Sequence, residues 1–167
     1  MSLLADAILI TWQRNRAYAM RLVNDLTDSH IVAQPCLCRA PINHPGWILS
    51  HLGIYAPVVA AMMRGGPFSD PISHPFGQMS KLSLDPAHYP GRDALVGQFC
   101  IAYDDAEAAL HQVSDEALHA PTPLERWRGQ HPRLGEMLVT LMVKHESFHL
   151  GQLSAWRRAI GLPSVAM

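Results

Sequence analysis

Charge is thin in this chain. Only 16% of its 167 residues are Asp, Glu, Lys or Arg, and the formal net charge is -1 with histidine neutral. No basic cluster breaks that balance, so the electrostatic footprint of nucleic-acid binding is missing and no nucleic-acid partner is expected. Cysteine is equally sparse: three residues, an odd number, suit reduced thiols in a cytoplasmic protein better than a disulfide framework. The longest apolar runs are interrupted before the ~20 residues that span a bilayer. Met1-Ser2-Leu3-Leu4-Ala5-Asp6 lacks the basic segment, apolar core and cleavage site of a secretory signal. The expectation is a cytoplasmic chain with no membrane partner. Strand patterning, internal repeats and low-complexity tracts are lacking too. What is present is a hydrophobic content of 49%, ample for a continuous core in one domain over residues 1–167.

The hydrophobic residues recur at helical spacing in four segments. Residues 3–27 place Leu4, Ile8, Thr11, Ala19, Leu22, Val23 and Leu26 near one face. Asn43-His44-Pro45 reads as a helix start, with proline at the first helical position. From Gly46 to about Arg64, Trp47, Ile48, His51, Tyr55, Val58, Val59 and Met62 form a second stripe, with Pro57 predicting a kink. Residues 65–90 carry five prolines and three glycines without a period, the mark of a long loop. A third helix is expected over about Gly91–Val113. After a break through Pro121, Pro123 and Pro132, a fourth runs from about Pro132 to Ile160, with Leu134, Leu138, Leu141, Met142, Phe148, Leu153, Trp156 and Ile160 inward. Gly161-Leu162-Pro163 closes it as a left-handed cap followed by a proline stop. Four amphipathic helices predict an all-α fold, a four-helix bundle.

Within the fourth segment stands His145-Glu146-Ser147-Phe148-His149. Two imidazoles four residues apart sit one above the other on a helix and can reach one metal ion. Ten histidines in 167 residues supply about half a pair at that offset by chance, so direction decides its meaning. His145 lies three and four residues beyond Met142 and Leu141, and His149 four before Leu153, which turns both rings toward the interior. Burying an unpaired polar ring costs about 1–3 kcal/mol, and a shared metal satisfies both. His51, set within the second helix's apolar stripe, is the best third ligand, since bundles build metal sites from facing helices. A lone inward histidine is more often a core residue bonded to a carbonyl. Three inward on two helices favour metal. The remaining histidines read as surface or capping groups, with His44 and His88 kept as candidates for the rim of the site.

The same five residues spell H-E-x-x-H, the zinc-protease motif. Its common forms take a third ligand downstream, yet no His, Asp, Glu or Cys follows His149. Glu146 is then a candidate acid–base or ligand-supporting residue, or an exposed helix-face glutamate. Tyr55 and Gln152 each lie one turn from a proposed ligand and can orient substrate or a ligand ring. Cys36 and Cys38 form a C-x-C that reads as free thiols rather than a reactive or ligating pair.

Asn43-His44-Pro45-Gly46-Trp47-Ile48-Leu49-Ser50-His51-Leu52 resembles the second-helix start of DinB/YfiT-like proteins. His145-Glu146-Ser147-Phe148-His149-Leu150-Gly151-Gln152-Leu153, with Gly161-Leu162-Pro163, is similar to that family's ending. The resemblance implies an up-down-down-up four-helix bundle, often a homodimer, with a divalent metal on His51, His145 and His149. Characterised relatives include thiol-dependent S-transferases and a mycothiol-dependent maleylpyruvate isomerase, and a related domain occurs in ergothioneine-forming enzymes. Pro57 and the 65–90 loop depart from a typical member and bear on the pocket's shape. The expectation is a metal-dependent enzyme of the thiol-transferase type acting on a small molecule, with zinc or nickel on the imidazoles and a low-molecular-weight thiol as cosubstrate. Glu146, Tyr55 and Gln152 are its candidate catalytic residues. A hydrolase using metal-bound water and a non-catalytic metal-binding or stress-response module are the alternatives.

Overall fold

Ser2 accepts a hydrogen bond from the backbone N–H of Ala5 and so starts the first helix, α1, at Leu3–Val23. The structure, a computed structural model, describes residues 2–36 and 39–166. α1 ends before the residue 27 expected from periodicity, because other groups claim its last turn. The Arg92 guanidinium donates to the Val23 and Asn24 carbonyls at 2.9 and 3.2 Å. Asp25 turns away to accept from Arg157 at 2.5 and 2.9 Å.

The second helix, α2, spans Pro45–Arg64, and the His44 imidazole caps it by accepting from the Trp47 N–H at 3.3 Å. It continues through Pro57, which lies on its exposed side, and ends on Gly65 at φ 64°, where a left-handed residue is required. Contrary to the sequence expectation, α2 is long and apolar enough by composition to cross a membrane. Its most apolar window is nevertheless 72% buried inside the protein, as befits a central core helix. The third helix, α3, spans Arg92–Gln112. Gly91 has no side chain to cap it, and Asp28 does so instead by accepting from the Arg92 N–H at 2.6 Å.

A short helix, α4, occupies Asp115–His119 within what periodicity marks as a break; Ser114 is its N-cap. The fourth long segment begins at Leu134 and has three parts that follow without a gap: α5 (Leu134–Leu138), a π-helical stretch (Val139–His145) and α6 (Glu146–Ala159). The π turn takes up an extra residue and shifts the inward face by one position. Downstream of it the buried positions are Glu146, His149, Leu150, Leu153, Trp156 and Arg157. Phe148, expected inward, is 62% exposed, while Glu146 is only 2% exposed. Leu4 also points outward rather than into the core.

The result is an all-α protein, with no strand among the described residues beyond one isolated bridge between Pro121 and Arg133. α2 packs along α3, while α1 meets α3 and α6, and α2 meets the π turn and α6. Their buried side chains form one hydrophobic core. The Trp12 and Tyr103 rings stack at 4.1 Å across the α1–α3 contact. The 65–90 loop contains only two single 3-10 turns, at Pro71–Ser73 and Pro86–His88. It is held on α2 by side chains: His44 Nε2 donates to the Ser83 carbonyl at 2.8 Å and Trp47 Nε1 to the Ser80 hydroxyl at 3.0 Å.

Candidate metal centre

α2 supplies His51, the end of the π turn supplies His145, and α6 supplies His149. Their Nε2 atoms converge. His51 Nε2 lies 2.9 Å from His145 Nε2, which lies 3.2 Å from His149 Nε2. The three ligand atoms all fall within 4.8 Å of one another. Two of the rings have a settled tautomer, because their other nitrogen meets a group that can only accept. His51 Nδ1 donates to the Phe76 carbonyl at 2.6 Å. His149 Nδ1 donates to the Gln152 side-chain oxygen at 2.9 Å, and that oxygen also accepts from the Asn43 amide at 3.1 Å. Both rings therefore aim an Nε2 lone pair at the shared point.

Burial favours the neutral form of all three. It is the largest cause lowering His145 to about 3 and His149 to about 4, and the neighbouring imidazoles lower them further. His51 is lowered by burial as well. The single ring proton of His145 can satisfy at most one of the two lone pairs that His51 and His149 aim at it, whereas one cation takes all three nitrogens. A divalent cation is the group that this donor set fits.

Aromatic rings wall the cluster. Trp47 stacks on His51 at 4.5 Å and leans on His149 at 5.6 Å. Tyr55 meets the His51 and His145 rings at 4.9 and 5.1 Å. The Tyr55 hydroxyl is pushed up by burial, with Arg126 working in the opposite direction. Arg126 itself is held by Asp70 at 2.5 and 3.1 Å and by Gln78 at 2.7 Å.

Of the residues singled out in sequence, His51, His145 and His149 come together, Tyr55 lies against two of them, and Gln152 holds the third. The chain matches the DinB superfamily over residues 11–153. It belongs to that superfamily. No curated protein matches it. The DinB cluster leaves His44 and His88 aside: His44 caps α2 and tethers the loop, while His88 packs edge-on against Phe76 and Tyr89 at 5.4 and 5.2 Å. Cys36 is a free, exposed thiol, and Cys38 lies outside the described residues.

Glu146 is not an exposed helix-face residue. The π turn places it in the core, where burial raises its carboxyl to about 8. Beside it lies Tyr103, also fully buried and raised well above its ordinary value, first by burial and then by Glu146. Sequence reasoning misses Phe76 because it acts through its backbone carbonyl, which leaves no side-chain signature. It misses Tyr103 as well, although the 99, 103, 106 spacing of Phe99, Tyr103 and Ala106 along the buried face of α3 carries that signal.

Proposed function

We propose that this protein is a metal-dependent enzyme of the thiol S-transferase type, joining a low-molecular-weight thiol to a small electrophile. One observation carries the reading: three neutral imidazoles converge through Nε2, and two are locked in the ligating tautomer by Phe76 and Gln152. A divalent ion, zinc or nickel, held by His51, His145 and His149 would lower the pKa of a thiol at its open position. The thiol chemistry itself comes from the DinB resemblance.

The chain's own groups have distinct tasks in this proposal. Gln152 and Asn43 orient the His149 ring, and the loop carbonyl of Phe76 orients His51. Trp47 and Tyr55 exclude water from one side of the cluster. The Tyr55 hydroxyl keeps its proton at neutral pH and is the group suited to donate a hydrogen bond to substrate. Glu146 faces the core and supports a ligand rather than touching substrate. The same proposal includes the up-down-down-up four-helix bundle formed by the four long helical segments. It also includes a homodimer, for which exposed Leu3, Leu4 and Ile10 on α1 offer apolar area.

The test is a conjugation assay on zinc- or nickel-loaded protein, with several low-molecular-weight thiols and a generic electrophile. The proposal expects conjugation well above that of the His51→Ala and His145→Ala variants. Equal rates in wild type and variants would refute it. Product release from esters or amides without thiol would point to hydrolysis instead.

A further inference from the structure

Two of the three ligand candidates have an acceptor for their second nitrogen, and the third has none. His145 Nδ1 is buried without a partner among the described residues. Two further orphans lie nearby: the Glu146 Oε1 atom on the adjacent residue, and the Tyr103 hydroxyl beside that carboxyl. A carboxyl 2% exposed and a hydroxyl 0% exposed would forfeit their hydration for nothing if they stayed unpaired. Protein does not fill all the space beside His145 and Glu146. A cavity of about 10 Å³ is bordered by His145 and Glu146, with Trp12, Leu52, Val59 and Met142 among its other walls. That is about the least space that admits one water, and a buried water needs two to four polar partners. His145 and Glu146 supply two, and the Tyr103 hydroxyl is available to the same carboxyl. The Trp12–Tyr103 stack at 4.1 Å holds that hydroxyl in place.

We propose that Glu146 and Tyr103 are positioning residues for His145, acting through one internal water. The water accepts the Nδ1–H of His145 and donates to the Glu146 carboxyl, while Tyr103 donates to the same carboxyl. This gives His145 what Phe76 gives His51 and Gln152 gives His149: an acceptor that fixes the tautomer and leaves Nε2 free to ligate. It also explains why a glutamate occupies a core position created by the π turn. Its consequence for metal affinity rests on the reading of the cluster as a metal site. The tautomer does not.

The tautomer is read by long-range 1H–15N correlation spectra of metal-free protein, and the affinity by competition with a chromophoric zinc chelator. Wild type and Glu146→Gln, which keeps an acceptor oxygen, are expected to show His145 protonated at Nδ1. Glu146→Leu is expected to mix the two tautomers and to weaken zinc binding about 10–100-fold, while Glu146→Gln stays within about threefold of wild type. Tyr103→Phe, which removes only the hydroxyl, is expected to weaken zinc binding severalfold. Wild-type protein with its proton on His145 Nε2 overturns the proposal, whether or not any variant folds. So does a folded Glu146→Leu with wild-type tautomer and wild-type zinc affinity. If wild type binds no zinc, the metal reading fails, and the tautomer still decides the water bridge.

Discussion

His51 donates its Nδ1–H to the backbone carbonyl of Phe76 at 2.6 Å, so a core imidazole takes its orientation from a proline-rich loop. That carbonyl is placed in turn by Gly77, where an added Cβ would come within 1.9 Å of the Pro71 carbonyl oxygen. No flexible side chain is available to yield there. Gly77→Ala is therefore expected to displace the loop and weaken zinc binding about 10-fold or more. The chelator competition that reads zinc affinity checks this, with circular dichroism confirming that the helices persist.

Gln152 plays the corresponding part for His149, accepting at 2.9 Å from its ring. Gln152→Leu removes the acceptor while keeping the volume. Zinc affinity is expected to fall about 10-fold, and Asn43→Ala, which loosens Gln152 without touching the ring, should have a smaller effect in the same direction. The same competition measurement ranks them.

Acid should destabilise the metal-free protein through its histidines. His145 and His149 have folded values of about 3 and about 4 against an ordinary 6.5, so below pH 6.5 the unfolded chain binds more protons than the folded one. Stability is then lost as pH falls from about 6.5 toward those folded values. Urea midpoints measured in chelator from pH 7.5 down to 4.5 are expected to fall, and to fall less in a His145→Phe variant.

Glu146 acts with the opposite sign. Its folded value is raised to about 8 from 4.5, so its contribution is fully present below 4.5 and is lost as pH rises through about 8. The Glu146 contribution to urea midpoints should fall as pH rises from about 4.5 and level off above about 8, and Glu146→Gln should lack that loss toward pH 8 while keeping the acid decline of the histidines.

Much of this was legible in the amino-acid pattern, for identifiable reasons. The long helices announce themselves because their apolar residues recur with the helical period, and Gly161 at φ 86° provides the expected left-handed stop. His51, His145 and His149 were readable as a group because each stands among apolar neighbours on its own helix. The π turn was not readable, since a one-residue insertion leaves no mark in composition. With it, Phe148, expected inward, faces solvent, and Glu146, left open between a supporting and an exposed role, lies in the core. Backbone acceptors such as Phe76 carry no residue-type signal. Nor does the end of α1, which depends on Arg92 and Arg157 arriving from distant segments.

That distant pairing makes its own prediction. Arg157 is buried, with Asp25 the only carboxylate it bonds among the described residues, and the guanidinium beside Asp25 holds that carboxyl below its ordinary value. Asp25→Ala leaves a buried cation with carbonyl partners only. Because Asp25 itself is half exposed, the expected loss is a discounted ~2 kcal/mol. Urea denaturation at pH 7 measures it. The wild-type advantage should shrink as acid protonates Asp25.

The central claim is that His51, His145 and His149 hold one metal ion. Elemental analysis of protein purified without a metal-affinity column tests it most directly, on wild type beside His51→Ala and His145→Ala. The account predicts about one divalent metal per wild-type chain and little in either variant. Wild-type metal content retained in both variants, or none in wild type after incubation with zinc and nickel, would contradict it.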